Sequence, residues 1–292
     1  SRRGRMIDIL ILEYLSGNTC QGSFWYHGFM KPGDQWAILA FAGAAALFFP
    51  GLRLGLTGKL KIRWSPAAAG LLALAIASLA STLVVSSNKI EALLQPFGFV
   101  TYLSLFLMTL FSTRSLWWFV SAVAASAAVW QLVKTPITLL PLSANWAILA
   151  ETIKQPLHAL FGVGPENFLA AFSAGRPAGL NMSALWNIRF SSGSTFLFHT
   201  ATTLGIAGVV ALLPFFRIKN LFALFIPSLL LILPPGLPVF ALSISLLSLT
   251  NRAPQKTFSL SPLFSIPLIL LSLLGFSLVS RVYLAEVSYG HA

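Results

Sequence analysis

The chain has 292 residues, 57% of them hydrophobic and 9% charged, with a mean hydropathy of +0.82. Soluble domains carry about 25% charged residues, so this composition excludes an ordinary soluble fold and predicts a polytopic membrane protein. The net charge of +12 sits in connectors between apolar runs. That placement points to topology signals, membrane-lipid headgroups or a lipid-linked phosphate, and away from nucleic acid.

Residues 1–35 form an N-terminal segment that begins at Ser1 rather than methionine and reads as truncated or processed. Its MIDILILEYL stretch carries Asp8 and Glu13 and lacks a clean signal-peptide core. The one cysteine, Cys20, excludes an internal disulfide, and His27, His158, His199 and His291 lie far apart without metal-ligand spacing. Neither a metal nor a cofactor is expected.

Four apolar runs predict transmembrane helices within 36–133: Trp36–Leu52, Ala67–Val85, Phe97–Phe111 and Leu116–Val133. Residues 134–195 interrupt the pattern. Four more runs fill 196–283: Phe196–Phe216, Leu221–Pro234, Gly236–Leu249 and Pro262–Tyr283, with 284–292 as a tail. A helix needs about 20 apolar residues to cross a bilayer core, and two shorter runs flank Pro234-Pro235-Gly236-Leu237-Pro238. A double proline removes helical donors and clashes with the preceding turn. A hairpin of two short helices at 234–238 is expected, with a re-entrant pair as the alternative.

Positive residues of short loops stay on the cytoplasmic side. Arg53, Lys59, Lys61 and Arg63 share one connector; Arg114, Arg217, Lys219, Arg252 and Lys256 fall on the same side by alternation, and loop 86–95 opposite holds only Lys89. Residues 134–195 are therefore expected to face outward, against the opposite signal of Arg2, Arg3 and Arg5. The expected fold is all-α: a polytopic transmembrane helical bundle with a long outward-facing loop containing short amphipathic helices. No Asp, Glu, Lys or Arg lies in the middle of any apolar run, which counts against ion-driven transport.

Within the loop, Trp146, Leu149, Ala150 and Ile153 recur on one helical face, and Pro156 stops that helix. It is a short amphipathic helix suited to a membrane surface. Gly162-Val163-Gly164-Pro165 predicts a turn, then a helix Glu166–Ser173 with Glu166 in its positive first turn. Arg176-Pro177-Ala178-Gly179 is loop, and NMSALWNIRF (Asn181–Phe190) is short and aromatic.

The ordered set of a tryptophan helix, GVGPENF (Gly162–Phe168), a loop and a span ending TTLGIAG (Thr202–Gly208) resembles the O-antigen ligase and O-antigen polymerase family of bacterial envelope enzymes. The match covers about 60 residues, Trp146–Gly208; the other spans match only in kind. The resemblance implies a multi-pass glycosyltransferase of the bacterial plasma (inner) membrane. Such an enzyme transfers a glycan from a polyprenyl-pyrophosphate carrier to a hydroxyl of a glycan, lipid or protein acceptor, without a metal. Family arginines hold the pyrophosphate, and a histidine near the re-entry point activates the acceptor. Here Pro141, Leu142 and Ser143 occupy the region of a usual arginine, and Ser194 and Thr195 occupy the usual His-Asn positions; His199 lies about one turn further in.

Candidate residues follow, each with a plainer reading beside it. Arg176 and Arg189 offer guanidinium forks that match phosphate oxygens; lipid headgroups or a salt bridge to Glu166 would use them too. Lys154 is a weaker phosphate candidate, explained as well by a solvated helix face. Gly162 and Gly164 either present amides to an anion or form an ordinary turn. Glu166 is a general base, an arginine orienter, or a favourable first-turn charge. His199 is the base candidate at the outer edge of its span, or a histidine bonded to a neighbouring helix. Asn167 and Asn181 bind sugar hydroxyls or loop backbone. Trp186 and Phe190 stack on a sugar ring or sit at the membrane interface. The competing functional reading is a non-catalytic glycolipid transporter, flippase-like protein or scaffold.

Overall fold

A computed structural model describes residues 35–95, 97–111, 114–134, 139–183, 185–216, 226, 228, 231–250 and 255–290. The predicted N-terminal segment, most of the predicted span Leu221–Pro234 and the last two residues of the tail lie outside these.

The described chain is mostly helical. Helix α1 (Gln35–Thr57) leads through Gly58 into strand β1 (Lys59–Arg63). Helix α2 (Pro66–Val84) starts where Ser65 caps the Ala68 amide and Pro66 takes the first turn, a position that needs no donor. Short α3 (Lys89–Leu94), α4 (Phe99–Phe111) and α5 (Arg114–Lys134) follow. Residues 139–195 carry four short helices: α6 (Leu142–Thr152), α7 (Pro156–Phe161), α8 (Phe168–Gly175) and α9 (Ala178–Asn181). The chain returns to the bundle through α10 (Phe196–Ala211), a 3-10 turn (Leu213–Phe216) and α11 (Leu237–Thr250). Strand β2 (Gln255–Ser259) and α12 (Ser265–Gly290) complete it, with α12 running past the expected end at Tyr283.

Among the described residues, four segments are long and apolar enough to cross a membrane: Ala40–Thr57, Pro66–Val84, Lys89–Phe111 and Pro262–Arg281. The helices approach closely where side chains are small. A Cβ on Gly43 of α1 would stand 2.6 Å from the Ser104 side chain of α4. Hydroxyls tie other pairs: Ser272 of α12 donates to the Ala44 carbonyl of α1 at 2.8 Å, and Ser121 of α5 to Ser245 of α11 at 2.8 Å. Each such bond contributes about 0.6 kcal/mol between membrane helices. The core collects Leu71 and Leu74 of α2, Tyr102 and Leu105 of α4, Phe196 of α10 and Phe240 of α11.

The described chain is mostly helical, as expected for an all-α fold, with two features the sequence did not announce. Strands β1 and β2 pair as an antiparallel ribbon, Lys59 opposite Ser259 and Lys61 opposite Thr257. Residues 139–195 also have a core of their own, built from Leu140, Ala144, Ile148, Phe168, Phe172 and Phe190; we call this unit the cap. Helix α2 spans 19 residues, about 28 Å at 1.5 Å per residue. The ribbon adjoins its first residue and the cap bonds beyond its last, so the two lie at opposite ends.

The buried face of α6 is Ala144, Asn145, Ile148 and Thr152. The predicted stripe through Trp146 and Ile153 is the exposed one, at 62% and 48%. Helix α8 packs tightly against this face at a glycine: a Cβ on Gly175 would lie 2.7 Å from the Ile148 Cα.

Candidate functional site

The GVG turn is a backbone lock. Helix α10 breaks at Gly205, whose φ is 64°. The break redirects carbonyls that would otherwise accept from the next turn, and an unsatisfied carbonyl in apolar surroundings is costly. The cap supplies the donors: the Val163 amide bonds the Thr202 carbonyl and the Gly164 amide bonds the Thr203 carbonyl, both at 3.0 Å. Ser81 of α2 adds its hydroxyl to the Thr203 carbonyl at 3.2 Å. Both strained positions require glycine. Gly162 has φ 72°, and a Cβ there would stand 2.2 Å from the Thr203 carbonyl carbon. The Gly162 amide itself donates to the His158 carbonyl at 2.7 Å. The amides of Gly162 and Gly164 are thus spent within the fold, as in the turn reading of these glycines and not the anion-donor reading.

Glu166 joins this lock to α2. One carboxylate oxygen accepts from the Ser86 hydroxyl at 2.9 Å, and the other from the Asn167 side-chain amide at 3.0 Å. The same Asn167 nitrogen donates to the Val163 carbonyl at 2.9 Å. Helix α8 starts at Phe168, so Glu166 precedes it rather than sitting in its first turn. Each carboxylate oxygen has about two acceptor sites, and Glu166 is only half-buried; it keeps capacity for a further donor.

His199 lies in the first turn of α10 but faces inward, 6% exposed. Its ring sits between Phe97 and Phe168, with centroids 5.5 and 5.3 Å away, and its Nδ1 has no hydrogen-bond partner. The neighbours that replace the family pair have local jobs. Ser194 accepts a hydrogen bond from the Asn145 side chain, and Thr195 caps the Phe198 amide at 3.3 Å. Asn145 is 2% exposed and went unrecognised in the sequence, as did Ser86. A lone asparagine within an apolar helical stretch was the available signal.

Just past the C-terminal end of α8, Arg176 lies over the Phe172 ring at 5.5 Å and donates to the Trp186 carbonyl at 2.5 Å. Its Nε is buried without a partner. Phe172 packs edge-on against Phe190, 5.7 Å away, which places Phe190 in the cap core rather than at an open face. Arg189, beside it, is exposed, as are Asn181 and Trp186. Lys154 pairs with Glu151 at 2.5 Å on the surface.

The structure therefore places Glu166 and Asn167 at the lock, His199 against the neighbouring Phe168, and Arg176 past the far end of α8, over Phe172. Lys154 and Asn181 are surface residues of the cap. Among the described residues no group of three His, Cys, Asp or Glu is placed to hold a metal ion. No family model, curated protein or solved structure matches this chain significantly.

Proposed function

We propose that this protein is an O-antigen ligase-like membrane glycosyltransferase. It transfers or polymerises a glycan from a polyprenyl-pyrophosphate carrier onto a hydroxyl acceptor at the outer face of the plasma membrane. The observation that carries the reading is the lock between GVGPENF and the broken α10. The sequence features behind the family resemblance meet there as one unit, a cap seated on a bundle with membrane-length helices.

The chemistry needs cations for a departing pyrophosphate and a base for the acceptor hydroxyl. Arg189 is an exposed guanidinium of the cap, and Arg176 is oriented by Phe172 and the Trp186 carbonyl. His199 offers an unpartnered Nδ1, and Glu166 a half-buried carboxylate. Access to His199 requires Phe97 or Phe168 to turn aside. A second reading, a non-catalytic glycolipid binder or scaffold, is favoured by that burial and by the bonds Glu166 already makes.

Transfer from a lipid-pyrophosphate donor, measured with purified wild type, Arg189→Ala and His199→Ala, separates the two. The transferase reading expects turnover in wild type and at least a hundredfold loss in both variants. Donor binding without turnover in wild type establishes the second reading. Unchanged turnover in both variants removes the site assignment.

A further inference from the structure

Among the described residues, the β1–β2 ribbon forms a strongly cationic face that the cap chemistry does not use. Side chains alternate along a strand, so Lys59, Lys61 and Arg63 share a face, about 6.7 Å from one to the next. Opposite them on β2 stand the hydroxyl residues Thr257 and Ser259. Leu60 turns the other way and is buried against the bundle, 7% exposed. Neither strand contains a carboxylate. The carboxylates whose side chains are described, Glu91, Glu151 and Glu166, all belong to the cap end of α2. Exposed apolar residues surround the ribbon: Leu56, Trp64, Leu263 and Phe264. Where β1 hands over to α2, a groove opens between Trp64, Ser65, Pro66, Ala69 and Pro214.

A row of cations with no carboxylate among them, backed by hydroxyls and bordered by aromatic and aliphatic side chains, matches one kind of surface: phosphate above and hydrocarbon below. We infer that this face is a headgroup site for anionic phospholipid, at the membrane surface opposite the cap. The inference rests on the membrane character of the bundle and is independent of glycan transfer. Lys59, Lys61 and Arg63 hold the lipid phosphates, and Thr257 and Ser259 donate to their oxygens. Trp64 and the groove beside it face the start of the acyl chains. Each cation at such a surface contributes about fivefold to affinity.

The test uses the full chain purified in a neutral detergent. Binding of short-chain phosphatidylglycerol and of phosphatidylcholine is titrated by thermal shift for wild type, Lys61→Gln, the triple Lys59→Gln, Lys61→Gln, Arg63→Gln, and Lys256→Gln. Lys256 lies across from Ile62, on the other face. Wild type is expected to prefer the anionic lipid at least tenfold. Lys61→Gln should lose about fivefold of that preference, the triple variant nearly all of it, and Lys256→Gln less than twofold. If the triple variant does not purify as a monodisperse protein, Lys61→Gln alone decides. No preference in wild type, an undiminished wild-type preference in Lys61→Gln or in the triple variant, or equal loss in Lys256→Gln overturns the site. Glycerol phosphate competing at the same concentration as the lipid would show a free-phosphate site and equally overturn it.

Discussion

Gly162 and Gly205 meet backbone to backbone: a Cβ on Gly205 would stand 2.5 Å from the Gly162 amide nitrogen. Both hold positive φ, 72° and 64°. Gly162→Ala and Gly205→Ala are each expected to destabilise the protein by about 3 kcal/mol or more, from backbone strain and a contact that cannot relax without parting the lock. Gly179 has open space around it, and Gly179→Ala should change stability by less than about 0.5 kcal/mol. Thermal unfolding of the three variants in detergent checks this; equal melting would mean that no lock exists.

The Ser86–Glu166 bond is the side-chain tie between the end of α2 and the cap motif. Ser86→Ala should cost about 1–2 kcal/mol, since the acceptor is a carboxylate. Combined with Glu166→Gln, the loss should fall short of the sum by about 1 kcal/mol. Strict additivity in the double-mutant cycle would show that the two residues do not interact.

Asn145 and Ser194 form a buried polar pair between α6 and the loop that returns to the bundle. Asn145→Ala leaves the Ser194 hydroxyl buried without its donor, at a cost of about 1–3 kcal/mol. Asn145→Leu together with Ser194→Ala should recover much of that loss, because both partners become apolar. Limited proteolysis within 182–194 reports the outcome: faster cutting in Asn145→Ala and near-normal cutting in the double variant. Cutting that is equally fast in both would disprove the pairing.

His199 separates packing from chemistry. Its ring fills an aromatic slot between Phe97 and Phe168 and its Nδ1 bonds nothing. His199→Phe should therefore keep melting within about 1 kcal/mol of wild type, since aromatic pairs contribute about 0.5–1.5 kcal/mol each. If His199 is the base, the same variant loses transfer at least a hundredfold. A stable variant with full turnover would free His199 of any catalytic role.

The long helices were legible because uninterrupted apolar runs leave little alternative: Trp36–Leu52, Ala67–Val85 and Pro262–Tyr283 each fall largely within an observed helix. The ribbon was not. KLKIR does alternate, but it is five residues long and its partner follows almost two hundred residues later, so it reads as a basic connector. The break in α10 hid inside LGIAG for a related reason. Nothing local demands it; the Gly162 turn inserting beside Gly205 does. The stripe of α6 through Trp146 and Ile153 was legible as one apolar helical face, and it is exposed; the buried face opposite it was not. That face, Ala144, Asn145, Ile148 and Thr152, is set by the close approach of α8 at Gly175, which the sequence of α6 does not show. The candidate residues of the cap were picked out by type. Their bonds, such as Glu166 to Ser86 across 80 positions, depend on which end of α2 the cap meets.

The private core of the cap bears on the order in which the molecule assembles. Its members, from Leu140 to Phe190, are complete before α10 has been synthesised. Contacts of short sequence span form early because little chain must be ordered to close them. The nascent cap can therefore consolidate first and wait with its Val163 and Gly164 amides free. Helix α10 then arrives against a finished template and bends at Gly205 to meet it. Force-sensitive arrest sequences placed after Phe190 and after Ala211 should record two separate pulls; a single pull at the later site would mean that cap and helix mature together.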